Sequence, residues 1–246
     1  MTHERPLRRR RDGKAAAVAL DVAVARYAEE LNWTRKLPAS ARVWLYDKRG
    51  DLPAERFPWA RVVRLENVGV EAHTYISHII EMYQEVAAVT LFCQGWPFDH
   101  CYDLQPTVHA VVEGRESVTS FRWLGHILDT DDAHGRRLFT RWSKNADGRE
   151  LAVGEFHREL FGEPLDGLVH FRPGAQFIAT AGAIRSRPLA FWRRALELAV
   201  SFPDAGHCFE RLWDRVFGVR AIDPAELGPD GCRYLKPIRR LGTAAR

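Results

Sequence analysis

Two short stretches of this 246-residue chain concentrate side chains able to move protons. The first is Asn67-x-Gly69-x-Glu71-x-His73-Thr74-Tyr75, which sets an amide, a carboxylate, an imidazole and a phenol just ahead of a helical pattern. A helix start offers free N–H groups and a partial positive charge, so it can hold an anion or an oxyanion. With suitably tuned pKa values, Glu71 or His73 is the candidate general base. The competing reading is a cap, in which Thr74 or Asn67 merely satisfies backbone donors. The second stretch, Gln94-Gly95-Trp96-Pro97-Phe98-Asp99-His100, follows an apolar run. Gly95 permits a tight turn or a close ligand approach. Gln94 is a candidate catalytic amide, and Asp99 and His100 are candidate substrate contacts.

The absent motifs narrow the chemistry. Gln94 stands where a metal-dependent sugar transferase carries the first Asp of an Asp-x-Asp motif. Asp131-Asp132 is acidic but reads as a loop or a cap without a preceding apolar strand. A metal site built from Asp99 and His100 is conceivable but weak, since adjacent residues seldom point the same way, so no metal is expected. The chain has no GxSxG elbow, no papain-like cysteine and no Walker or GxGxxG loop, which removes the usual signatures of acyl-enzyme and ATP chemistry. No cofactor is expected, and any acyl transfer needs a pre-activated donor. Ser77 and Cys93 are the fallback nucleophiles. Gln176 and Glu210 are placed to close a pocket. Glu210 there could clamp a guanidinium through paired hydrogen bonds, or simply pair with Arg185, Arg187 or Arg211. Phe177 and Trp213 read as core.

The elements that must position these groups follow from periodicity. Strands are predicted at Val18 to Arg26, Arg42 to Tyr46, Val62 to Leu65, Val89 to Cys93 and Gln176 to Thr180. Helices are predicted around Leu31 and Trp33, at Thr74 to Val86, Glu155 to Phe161, Pro188 to Val200 and Cys208 to Phe217. Residues 104 to 150 read as a variable insertion with short helices. Strand, helix, strand in this order gives an α/β fold with a mostly parallel sheet flanked by helices. Ligands then gather beyond the carboxyl ends of the strands, where the segment after Cys93 lies.

Composition sets the outer limits. The hydrophobic share, 46%, suffices for one substantial core, so residues 17–246 read as a single α/β domain behind a basic arm at 1–16. No apolar run approaches the roughly 20 residues that cross a bilayer, and the N-terminus carries no apolar signal region. Cys93, Cys101, Cys208 and Cys232 lack paired spacing and fit reduced thiols, which makes the cytoplasm the expected compartment. Arg8, Arg9, Arg10, Arg11 and Lys14 form a basic cluster that can bind RNA phosphates without reading sequence. A solvated tail explains the same cluster equally well.

Taken in order, several of these motifs resemble a largely fungal family catalogued as a domain of unknown function. They are Val24-Ala25-Arg26-Tyr27-x-Glu29, Tyr46-Asp47-Lys48, Asn67-x-Gly69-x-Glu71-x-His73-Thr74-Tyr75, Leu91-Phe92-x-Gln94-Gly95, Gly174-Ala175-Gln176-Phe177 and Phe209-Glu210-x-Leu212-Trp213. They run over roughly residues 20 to 218, and Ala28 departs from the Asn expected there. The family is associated with arginine-containing cyclodipeptide synthases. The resemblance implies a Rossmann-like, glycosyltransferase-A-like fold, with arginyl-tRNA and a second charged tRNA as substrates and a diketopiperazine natural product. It implies Glu71 or His73 as base and Gln94 or Gln176 at the carbonyl. Arg26, Tyr27, Glu29, Lys48, Asn67, Tyr75, Asp99, His100, Gln176 and Glu210 then line the substrate site. Two other classes remain open on the residues alone: a metal-independent nucleotide-sugar glycosyltransferase, and a non-catalytic RNA-binding module.

Overall fold

The computed structural model describes residues 18–136 and 150–236. Four parallel strands form its spine: β1 (Leu20–Arg26), β2 (Arg42–Asp47), β3 (Ala60–Arg64) and β4 (Val89–Gln94). β5 (Phe121–Leu124) and β8 (Gln176–Thr180) complete a six-stranded sheet in the order β3-β2-β1-β4-β8-β5. β8 runs antiparallel to both of its neighbours, so its first residue lies at the end of the sheet where β1 to β4 finish. β6 (Ile127–Asp131), β7 (Val169–Phe171) and β9 (Arg233–Tyr234) make a small separate sheet.

Every residue of β1 is buried, as a central parallel strand requires when both faces are covered. Successive side chains alternate between two cores. Ala23 and Ala25 face the side covered by α1 (Val70–Met82), α5 (Leu189–Ser201) and α6 (Ala205–Val216). Val22 and Val24 face the other side, filled by α2 (Leu104–Val112), Trp33 and Phe57. The α1 side is strongly aromatic. Phe177 lies 4.9 Å from Phe92 and 5.0 Å from Trp213, ring centre to ring centre. The reading of Phe177 and Trp213 as core is borne out, since both are fully buried.

The mixed α/β architecture, the mostly parallel sheet and the flanking helices agree with expectation. Three local readings are corrected. Residues 104 to 150, read as an insertion with short helices, hold one short helix, α2, but also the edge strand β5 and the strand β6; 137–149 lie outside the described residues. Asp131 ends β6 rather than capping a helix. The helix expected from Thr74 begins at Val70, so Glu71 and His73 belong to its first turn. The short helix expected around Leu31 and Trp33 is present as a 3-10 helix, Asn32–Lys36, with Leu31 just before its start. The remaining helices are α3 (Val153–Phe161) and α4 (Ala181–Arg185). Among the described residues no helix is long and apolar enough to cross a membrane.

Candidate functional site

The parallel strands deliver Arg26, Lys48 and Gln94 to one end of the sheet, because their registers align Ala25 with Gln94 and Arg26 with Asp47. The start of α1 and the start of β8 meet them there. α1 begins from two successive left-handed residues, Gly69 (φ 59°) and Val70 (φ 41°). A positive φ at a β-branched residue is a genuine outlier, and such strain persists only where the surroundings over-determine it. Gly69 has no room for a side chain, since a Cβ there would lie 2.5 Å from the carbonyl oxygen of Ala199. Lys48 holds this turn. Its buried ammonium donates to the carbonyl oxygens of Val68 and Val70, each at 2.5 Å. Burial brings its pKa down to about 8, against the attraction of Glu71.

Glu71 is the chemical centre of this end. It keeps a limited window to solvent, yet desolvation is the largest influence on its carboxyl, and the charge of Glu210 adds to it. The backbone N–H of Glu71 itself, then Lys48 and Gln94, oppose them, and the balance leaves a pKa raised to about 7. A carboxyl poised near neutrality is suited to proton transfer. The first turn of α1 carries no side-chain cap, so neither Thr74 nor Asn67 plays the capping part, and a backbone N–H of this turn bonds the Glu71 carboxyl.

Glu210 enters from α6. Its Oε1 accepts from the N–H of Gly174 at 2.7 Å, securing a second left-handed pair, Gly174 (φ 103°) and Ala175 (φ 50°). A Cβ at Gly174 would collide with the ring of His100 at 2.5 Å, so His100 packs beneath this turn. Arg185 and Arg187 bind backbone carbonyls elsewhere. Arg211 reaches Glu210 only at 3.5 Å and is committed to Asp131 at 2.7 Å. Both partners of that ion pair are buried.

Among the buried polar atoms of the described residues that have no partner, two belong to the side chains gathered here. One is the hydroxyl of Tyr75, whose ring sits between Phe92 and Trp213 and whose pKa is raised by burial, then by Glu71, Cys93 and Glu210. The other is Oε1 of Gln176, whose Nε2 donates to the carbonyl of Pro97 at 3.0 Å. A buried group without a partner costs about 1–3 kcal/mol, an expense that a bound ligand relieves. Glu71, Glu210, Gln94, Gln176 and Tyr75 thus converge, and Lys48 supports them.

The other expected residues serve differently. Arg26 is consumed by Asp47 at 2.8 Å, Asp51 at 2.5 Å and the carbonyl of Glu29 at 3.2 Å. Glu29 folds back on the N–H groups of Tyr27 and Ala28 and packs against Gly95. Both residues build the rim. Tyr27, Asn67 and Asp99 are exposed. His73 lies two residues from Glu71, so the two project from different faces of α1; its Nδ1 is unpartnered, and burial followed by Lys48 lowers its pKa. Cys93 is buried with its thiol pKa raised by desolvation, and Ser77 donates to the carbonyl of His73; neither is set up as a nucleophile. Arg8, Arg9, Arg10, Arg11 and Lys14 lie outside the described residues. Sequence reasoning missed the Asp131–Arg211 pair and the part played by Asp47, whose carboxylate also accepts from the N–H of Leu52.

A search of curated proteins finds no match to this chain. A family model described as "Protein of unknown function (DUF3431)" matches residues 22–228, which contain every converging residue named above. The chain belongs to that family.

Proposed function

We propose that the chain forms an amide bond from aminoacyl-tRNA, with arginine as one aminoacyl group, and that a cyclic dipeptide results when the free α-amine of the joined pair attacks the remaining ester and expels the second tRNA. The observation that carries the reading is the place of the Glu71 carboxyl, in the first turn of α1 at the strand ends, where burial and Glu210 raise its pKa against the pull of Lys48 and Gln94. An aminoacyl ester is already activated, so its transfer needs proton management and positioning rather than ATP. Glu71 takes a proton from the attacking α-amine. The amine nitrogen bonds to the ester carbonyl carbon, the carbon–oxygen bond to the ribose breaks, and the ribose oxygen leaves as a hydroxyl after taking up a proton. The partial positive charge at the start of α1 is suited to the transient oxyanion. Gln94 orients Glu71. Gln176, with an N–H committed to Pro97 and Oε1 free, is better placed to accept from the substrate amine than to donate to its carbonyl. Glu210 is the carboxylate that would hold a cationic side chain.

In the same reading the layers form a Rossmann-like, glycosyltransferase-A-like domain working in the cytoplasm. The test supplies the protein with pools of charged tRNA, arginyl-tRNA included, and searches by mass spectrometry for RNase-sensitive amides. Turnover of a nucleotide sugar without tRNA would replace this reading with a metal-independent glycosyltransferase. Tight tRNA binding with no product would replace it with an RNA-binding module.

A further inference from the structure

β3 is an open edge of the six-stranded sheet, and cations cluster along it. Residues 35 to 64 contain eight Lys and Arg against three Asp and Glu. Arg42, Lys48 and Arg49 are engaged internally. Arg35, Lys36, Arg56, Arg61 and Arg64 are exposed, and no ion pair with a described carboxylate holds them. Two are stacked: the guanidinium of Arg61 lies 4.8 Å from the ring centre of Trp44, and that of Arg35 lies 5.5 Å from that of Trp59. Stacking orders a guanidinium while leaving its edge N–H groups free for a phosphate. Alternation along β3 places Arg61 on the α1 side and Arg64 on the α2 side, so the charge straddles the edge. β3 runs parallel to β2, and Arg64, its last residue, packs against Gly50. The cationic strip therefore ends beside the same strand ends that hold Lys48 and Glu71. Within this stretch the exposed acids are Asp51, which is shared between Arg26 and Arg49, and Glu55.

We infer that this edge is a track for the phosphate backbone of an RNA, seating the body of a tRNA whose acceptor end reaches Glu71. The inference rests on the aminoacyl-tRNA reading for the identity of the RNA, whereas the charge and stacking stand without it. Edge arginines also discourage strand-to-strand pairing between copies, and the test separates the two roles.

Fluorescence anisotropy of uncharged tRNA on the full chain is measured between roughly 50 and 200 mM salt. Combined Arg35→Gln, Arg61→Gln and Arg64→Gln is expected to weaken binding more than tenfold and flatten the log–log salt slope by about 2–3. The matching triple Lys variant is expected to keep most of that slope. Full affinity in the Gln variant, with loss confined to a variant carrying Gln at Arg8 to Arg11, overturns the inference. So does self-association of the Gln variant with tRNA affinity intact, or an acidic peptide displacing tRNA by pairing with β3. Patch-dependent tRNA binding with no amide product keeps this surface and removes the proposed reaction. Amide formation with an unchanged KM for tRNA in the Gln variant does the reverse.

Discussion

The Nζ of Lys48 lies 2.5 Å from the carbonyl oxygen of Val70, the residue immediately before Glu71. The end of β2 thereby clamps the left-handed turn that launches α1, and the same ammonium helps to hold down the pKa of the Glu71 carboxyl. Position and ionisation of one carboxylate are thus tied to one buried cation. Lys48→Met is expected to move the Glu71 midpoint above 7 and to cost about 1–3 kcal/mol, because the two carbonyls lose their donor. Denaturant unfolding reads the second effect, and the acid limb of a pH–rate profile reads the first. An unmoved limb would show that Lys48 has no electrostatic hold on Glu71.

Glu210 acts in the opposite sense. Glu210→Gln keeps an oxygen for the N–H of Gly174 while removing the charge that pushes the Glu71 pKa up. The acid limb should move to lower pH with the fold unchanged. Gln94→Leu removes a hydrogen bond that favours the Glu71 carboxylate, so its limb should move to higher pH. The two shifts have opposite signs, which a general loss of structure would not produce.

The same carboxyl links stability to pH. The folded-state pKa of Glu71, about 7, lies above its ordinary value of 4.5. Between those values the folded chain binds more protons than the unfolded one, so this group makes stability fall as pH rises from 4.5 to 7. Asp214, raised to about 6 by burial, acts alike over its lower window, whereas His78, lowered to about 4 by burial, makes stability rise between 4 and 6.5. Glu71→Gln isolates the first contribution. Its stability relative to the parent should improve across that window by about 1–3 kcal/mol, less where solvent reaches the group. Urea midpoints at pH 5 and pH 7.5 measure it, and a constant difference would contradict a raised pKa.

The buried Arg211–Asp131 pair ties α6 to β6, and Arg211 also stacks on Phe171 with its guanidinium 4.7 Å from the ring centre. Asp131→Asn leaves the buried arginine charge with only the longer contact to Glu210, at 3.5 Å. A cost of about 3–5 kcal/mol is expected, seen as a lower unfolding midpoint. Because Glu210 precedes Arg211, the variant should also weaken the hold on the Gly174–Ala175 turn.

Much of the architecture was legible because its signals are local. The alternation in β1 and the apolar runs of β2, β4 and β8 marked the strands. The shared direction of β1, β2 and β4, with β8 running back against β4, brings Gln94, Gln176 and the start of α1 together. β5 and β6 escaped notice because strands of four and five residues, interrupted by Arg122 and Asp129, carry too little alternation. The true start of α1 was hidden because a left-handed Gly69–Val70 turn has no side-chain cap to read. Lys48 looked like a ligand contact, since bonds to backbone carbonyls leave no trace in residue types. Arg26 and Glu29 carried a similar ambiguity: a charged pair near a strand end builds a rim as readily as it binds a substrate.

The most direct test of the account is a single-turnover reaction of labelled aminoacyl-tRNA, comparing the parent chain with Glu71→Gln. The account predicts an RNase-sensitive amide from the parent, a rate rising with pH to a plateau above about 7, and a loss of about 100-fold or more in the variant. Amide formed at the same rate by both proteins would contradict Glu71 as the base. No amide from the folded parent, with every tRNA charged, would contradict the proposed reaction itself.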